Sequence, residues 1–193
     1  MLKPLKSEIL IITFLLAVVL ACRENPVPKP RGYFRIDFPE KNYIIYDTAC
    51  PFTFEYPGYG KVSYETGDYK EPCWFNIIYP MFRATLHISY RQLNGNLYEI
   101  LKEADNYVYS HSVKADAITE QPWNNPDKKV YGLLYDLKGN TASAIQFLVT
   151  DSTKHFVRGA LYFSAVPNED SLAPVISFFR EDIVHLIESF RWK

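Results

Sequence analysis

The sequence predicts an α+β fold, a single domain with a largely antiparallel sheet covered by two amphipathic helices. Three observations carry that prediction. The chain has 193 residues with 13 Phe, 15 Tyr and 3 Trp and is 48 % hydrophobic, enough apolar surface to build a core. Between Gly32 and Ala165 most of it reads as short aromatic and β-branched segments separated by Pro, Gly, Asn and Asp. Two segments switch instead to helical period.

The candidate strands, in order, are Tyr33–Phe38, Phe52–Tyr56, Lys61–Glu65, Trp74–Tyr79, Ala84–Arg91, Lys129–Leu137, Ala142–Thr150 and Phe156–Ala165. In Ala84–Arg91 the alternation is clean. Ala84, Leu86, Ile88 and Tyr90 share one face, and Thr85, His87 and Ser89 the other. Lys138-Gly139-Asn140 and Asp151-Ser152-Thr153-Lys154 are turn sequences, so the last three strands should form an antiparallel meander. The first helix is expected from Leu97, Ile100, Leu101, Ala104, Tyr107, Val108 and His111, with Asn94 or Asn96 as cap. The second follows from Leu172, Val175, Ile176, Phe179, Ile183, Leu186, Ile187 and Phe190, one apolar stripe. Asp170 or Ser171 is its expected cap, and Pro174 is expected in its first turn.

Residues 1–21 are a different object. Lys3 and Lys6 precede the 12-residue run Ile9–Leu20, which spans about 18 Å as a helix, short of the ~30 Å a bilayer core requires. This is the pattern of a secretory signal peptide. It ends in Val19-Leu20-Ala21-Cys22, which resembles a bacterial lipobox and predicts acylation of Cys22, with palmitate among the chains, and cleavage before it. At ~0.8 kcal/mol per buried CH₂, three acyl chains would hold such a protein on a membrane permanently. Residues 22–31, with Pro26, Pro28 and Pro30, read as a stiff polyproline-type tether of roughly 25–30 Å, and residues 32–193 as the folded domain. Cys50 and Cys73 are then an even pair in an oxidising compartment: a disulfide, or two buried free thiols.

Few residues of the sequence carry a signature of chemistry. A formal charge of −1 gives no electrostatic case for nucleic acid. His87, His111, His155 and His185 show no H-x-x-x-H spacing, and no G-x-S-x-G, P-loop or G-x-G-x-x-G string occurs. Glu169-Asp170 and Glu181-Asp182 read as capping and surface carboxylates. No catalytic, cofactor-binding or metal-ligating residue is therefore predicted. The aromatic crowd Tyr43, Tyr46, Phe52, Phe54, Tyr56, Tyr59 and Tyr64 reads either as sheet core or as a docking surface.

Longer strings carry a resemblance. Pro28-Lys-Pro-Arg-Gly-Tyr-Phe-Arg-Ile-Asp-Phe-Pro39, Cys50-Pro-Phe-Thr-Phe-Glu-Tyr-Pro57, Pro72-Cys-Trp-Phe-Asn-Ile77, Val130-Tyr-Gly-Leu-Leu-Tyr-Asp136, Thr150-Asp-Ser-Thr-Lys-His-Phe-Val-Arg-Gly-Ala-Leu-Tyr-Phe163 and Asp182-Ile-Val-His-Leu-Ile-Glu-Ser-Phe-Arg-Trp-Lys193 resemble the gliding motility lipoprotein GldD family of Bacteroidota. The resemblance implies an envelope lipoprotein required for gliding and tied to type IX secretion. It also implies other gliding and secretion envelope proteins as partners, and no assigned enzymatic activity. The one site it transfers is the acylated Cys22. The acidic run that follows the acylated Cys in surface-exported lipoproteins of that phylum is missing, which favours a periplasmic face, and the expected location is the periplasmic face of the outer membrane. Arg158-Gly159-Ala160 and the closing Ser189-Phe190-Arg191 are similar to the PsbP/Mog1-type α/β/α sandwich. Asp47-Thr48-Ala49, Asp151-Ser152-Thr153 and Asp170-Ser171-Leu172 look like O-glycosylation acceptors of the phylum, but read first as turn and cap sequences. Two other functions stay open: a periplasmic module binding a glycan or lipid, and a hydrolase pairing His87 or His155 with Asp136 or Asp151.

Overall fold

Alternation in the central segments does produce a sheet with two distinct faces. The computed structural model describes residues 35–64, 71, 73–110 and 115–193. In chain order these form β1 (Tyr43–Asp47), β2 (Phe52–Pro57), β3 (Lys61–Tyr64), β4 (Phe75–Tyr79), β5 (Ala84–Gln92), α1 (Leu97–Ser110), β6 (Ala115–Asn125), β7 (Val130–Gly139), β8 (Ser143–Thr150), β9 (His155–Phe163), α2 (Glu169–Ser189) and β10 (Arg191–Trp192). A seven-stranded sheet runs β3-β4-β5-β9-β8-β7-β6, and a smaller one runs β1-β2-β10. All the pairings are antiparallel, and β7, β8 and β9 are consecutive neighbours, the expected meander. The predicted fold class is the observed one.

Register explains why the core is where it is. Ile77 faces Leu86, Leu86 faces Leu161, and Leu161 faces Ile145, one buried row across four strands. The next row carries Phe75, Ile88, Gly159 and Phe147. Gly159 leaves the space that the Phe147 ring fills, since a Cβ there would stand 2.2 Å from it. This face is covered by α2, whose Phe179 lies 4.7 Å from Tyr79 and 5.2 Å from Phe82, ring to ring. The small sheet covers the same face: Tyr46 stacks on Phe75 at 4.4 Å, and Phe52 on Phe190 at 5.5 Å. Helix α1 covers the opposite face with Ile100, Ala104 and Val108, spaced four apart, against Tyr135, Leu137, Leu148 and Phe156. It lies over the β7-β8-β9 half.

Several local expectations need correction. Of the predicted strand Tyr33–Phe38 the described residues, 35–38, are not a strand. Strand β1 begins instead at Tyr43; its consecutive Ile44 and Ile45 are exposed on the sheet edge, so alternation did not mark it. Strand β6 was also unmarked, being polar and carrying Pro122, which an edge strand tolerates. The cap of α2 is Asn168, whose side chain accepts from the Ser171 N–H. Pro174 is consequently the sixth helical residue and denies the Asp170 carbonyl its i→i+4 bond. The Asn96 side chain turns back to accept from the Asn94 N–H, while its carbonyl accepts from Ile100. Phe190 ends α2 and the chain turns directly into β10, which pairs with β2.

Cys50 and Cys73 form a disulfide with Cα atoms 5.7 Å apart. It ties the β1–β2 turn to the segment entering β4. The leader 1–21, Cys22, the 22–31 tether and His111 lie outside the described residues.

Candidate functional site

Among the described residues, α1 covers the β7-β8-β9 part of this sheet face and leaves a groove beside β4 and β5. Polar residues from the outward-facing register positions collect there: Asn76 opposite His87, and Ser89 opposite Arg158. With Trp74, Arg91, Glu103 and Tyr107 they line a groove of about 290 Å³ between sheet and helix. Arg91 and Glu103 close one side as a two-bonded fork, Nη1 to Oε2 at 2.6 Å and Nη2 to Oε1 at 2.8 Å. That pairing raises the Arg91 guanidinium and lowers the Glu103 carboxyl, so both stay charged and matched.

Arg158 differs. Its Nη2 donates to the Gln146 side-chain carbonyl at 2.5 Å, and the guanidinium lies 5.2 Å from the Tyr107 ring centroid. Burial pushes its pKa down. Among the described residues it has no carboxylate within ion-pairing distance. The Gln146 Nε2 beside it is buried and has no hydrogen-bond partner among the described residues. The lining holds the guanidinium groups of Arg91 and Arg158 and the carboxylate of Glu103, and Glu71 acts on Arg91 from nearby.

A second cluster is structural. Asp182, only 2 % exposed, accepts from Tyr43 Oη at 2.9 Å and from Tyr59 Oη, and faces Lys41 Nζ at 3.2 Å. Burial, then the Asp182 hydrogen bond, pushes the Tyr43 and Tyr59 hydroxyls well above the usual tyrosine range. Lys41 also bonds the Phe178 carbonyl at 3.0 Å and Glu181 at 2.7 Å, while Phe38 stacks on the Phe178 ring at 4.5 Å. These contacts fasten residues 38–43 to α2. The sequence reading of Asp182 as a surface carboxylate is thus overturned. Its position, three after Phe179 and four before Leu186, already lay in the apolar stripe, which was the available signal.

The other singled-out residues are dispersed. His155 Nδ1 lies 2.9 Å from Tyr90 Oη, and its ring stacks on Trp192. Asp151 accepts from the backbone N–H groups of Thr153, Lys154 and His155, a turn-closing role that lowers its pKa despite partial burial. Asp136 is taken by Arg180 at 2.9 Å. Asp136 and Asp151 are thus engaged by Arg180 and by turn backbone, and the His155 side chain by Tyr90. His185 Nε2 meets Glu55 at 2.7 Å and its ring stacks on Tyr43 at 3.7 Å. Among the described residues no group of three His, Cys, Asp or Glu could hold a metal ion, and no helix is long and apolar enough to cross a membrane. Tyr46, Phe52, Phe54 and Tyr56 are core, whereas Tyr64 is half exposed.

A family model described as gliding motility lipoprotein GldD matches residues 23–192. No curated protein matches the chain. Among solved structures, the solution structure of cyanobacterial PsbP (CyanoP) from Synechocystis sp. PCC 6803 is similar over 86 % of this chain and 100 % of that one, at 14 % identity and a TM-score of 0.49.

Proposed function

The chain belongs to the gliding motility lipoprotein GldD family, and on that premise we propose that it is a non-enzymatic accessory component of the gliding apparatus. It is held in the cell envelope by lipid on Cys22 and binds other proteins of the motility and type IX secretion machinery. The family match over residues 23–192 is the observation that supports this reading most. The lipobox-like Val19-Leu20-Ala21-Cys22 and the Pro-rich stretch behind it supply the means. The tether's short reach would keep the domain near the headgroups of the outer membrane's periplasmic leaflet.

Deletion of the gene in its gliding host, followed by colony-spreading and cargo-secretion assays, tests the role. In vivo cross-linking and capture from native membranes tests the partners. Loss of spreading and secretion, with gliding or secretion proteins captured, is expected. Normal spreading and secretion in the deletion strain would refute the proposal.

A second reading is favoured by the groove between β4, β5 and α1: a module that takes a glycan or lipid ligand while anchored. A concave site with aromatic walls and a few convergent polar groups is the usual form of such sites.

A further inference from the structure

The end of the large sheet at which β4 finishes and β5 begins carries two loops side by side. Tyr79 pairs with Ala84 and Ala84 with Phe163, and the Ser164 N–H donates to the Arg83 carbonyl at 2.7 Å. The β4–β5 loop and the chain leaving β9 therefore emerge together. The first is a short 3₁₀ turn opened by Pro80 and closed from the Arg83 N–H to the Pro80 carbonyl at 3.2 Å. Phe82 roots it, its ring 5.7 Å from Phe178 and 5.2 Å from Phe179. Met81 is left at the tip, 70 % exposed, and Val166 on the neighbouring loop is 87 % exposed. Neither Pro80-Met-Phe82 nor Ser164-Ala-Val-Pro167 contains a charged residue. The charges that border them have both signs: Arg83 and Lys138 against Glu169 and Asp170. A lone exposed apolar side chain is ordinary, but two on adjoining uncharged loops make a patch. The folded unit Asp37–Lys193 also starts beside it, since Phe38 stacks on Phe178 at 4.5 Å and on Phe82 at 5.9 Å. Residues 22–36, about 50 Å when fully extended, lead from there back to Cys22. So short a link presents a bilayer to this end of the domain at high effective concentration, where a contact too weak to hold a free protein suffices.

We propose that this end of the domain docks on the lipid bilayer, with Met81 and Val166 inserted at the headgroup boundary. The inference rests on the reading of the chain as lipid-anchored and adds to it a defined face. The lipid holds the protein at the membrane, and the two loops set which way the domain is turned. Arg83 sits at the base of its loop, where its guanidinium stays at phosphate depth while Met81 enters the acyl boundary. The far end of the sheet, where β5 finishes and Tyr98 opens the first turn of α1, then points away from the bilayer.

The test uses the lipidated full chain in vesicles of phosphatidylethanolamine and phosphatidylcholine, carrying Met81→Cys, Val166→Cys or Tyr98→Cys labelled with an environment-sensitive fluorophore. With Cys22 acylated and Cys50 bonded to Cys73, the new thiol alone takes the label. All three side chains are exposed, so the fold should tolerate each change. Labels at Met81 and Val166 should shift to shorter wavelength and lose intensity to nitroxide-bearing lipids. The label at Tyr98, 74 % exposed but at the far end, should do neither. The contrast should persist in high salt, because the inserted groups are uncharged. Vesicle-bound protein whose labels at Met81 and Val166 behave like that at Tyr98 overturns the docking face and leaves the lipid anchor in place. Protein that fails to float with the vesicles and shows no acyl mass on Cys22 overturns the anchor and the docking together. Labels unaffected in pure lipid but shielded from water in native membranes assign the patch to a protein partner and overturn the lipid assignment.

Discussion

Replacing Asp182 with alanine removes the acceptor on which Lys41, Tyr43 and Tyr59 converge. The carboxylate is 2 % exposed and receives hydroxyl bonds from Tyr43, at 2.9 Å, and Tyr59. Each hydrogen bond to a charged group is worth ~1.5–3 kcal/mol. Lys41 loses its 3.2 Å contact but keeps Glu181 at 2.7 Å, so its charge is not orphaned and the full cost of breaking a buried pair does not apply. Tyr43 can rehydrate in part, whereas Tyr59 lies under Phe178. The loss should therefore fall at about 3–4 kcal/mol. Asp182→Asn, which keeps one acceptor oxygen, should lose about half as much. Urea denaturation followed by tryptophan fluorescence measures both, with the midpoint falling and the slope preserved. A loss below about 1 kcal/mol for Asp182→Ala would show that the two tyrosines do not depend on the carboxylate.

Three further outcomes follow from the packing and the titration directions. Removing the Cys50–Cys73 bridge by the double alanine substitution frees a loop of 23 residues and should cost about 3 kcal/mol in the same denaturation assay. Gly159→Ala should cost about 1–3 kcal/mol, since its Cβ would enter the Phe147 ring; a neutral result would show that the ring can move aside. Tyr43, Tyr59, Tyr79 and Tyr135 all have hydroxyls raised above the ordinary value near 10, burial being the largest cause in each. A value raised in the folded state means that this stabilisation is complete below pH ~10 and is lost as pH climbs past it. Ultraviolet titration should accordingly show Tyr43, Tyr59, Tyr79 and Tyr135 ionising only with unfolding. Ionisation of all 15 tyrosines in one step in the folded protein would contradict this.

How much the sequence disclosed depended on whether a residue's surroundings were local. Ala84–Gln92 was legible because the two faces of β5 meet different layers, so alternation survived intact. Helix α2 was legible from its stripe, yet its start shifted because Asn168 outcompeted Asp170 and Ser171 as cap. Strands β1 and β6 were opaque for a common reason: each is a sheet edge, and edge strands need not alternate. The groove was less visible still. Ser89 and Arg158 are 69 positions apart in sequence and neighbours in register, and Glu103 reaches them only through the packing of α1. Only the polar face Thr85, His87, Ser89 hinted that one side of β5 was not core.

The proposed function has the folded domain act while tethered to the envelope by lipid on Cys22. A gliding host lacking this gene, complemented with either the natural sequence or Cys22→Ala, tests it most directly through colony spreading and fractionation. The natural sequence should restore spreading from the membrane fraction, and Cys22→Ala should leave the membrane fraction and fail to restore it. Full spreading with a Cys22→Ala protein found in the soluble fraction would contradict the claim.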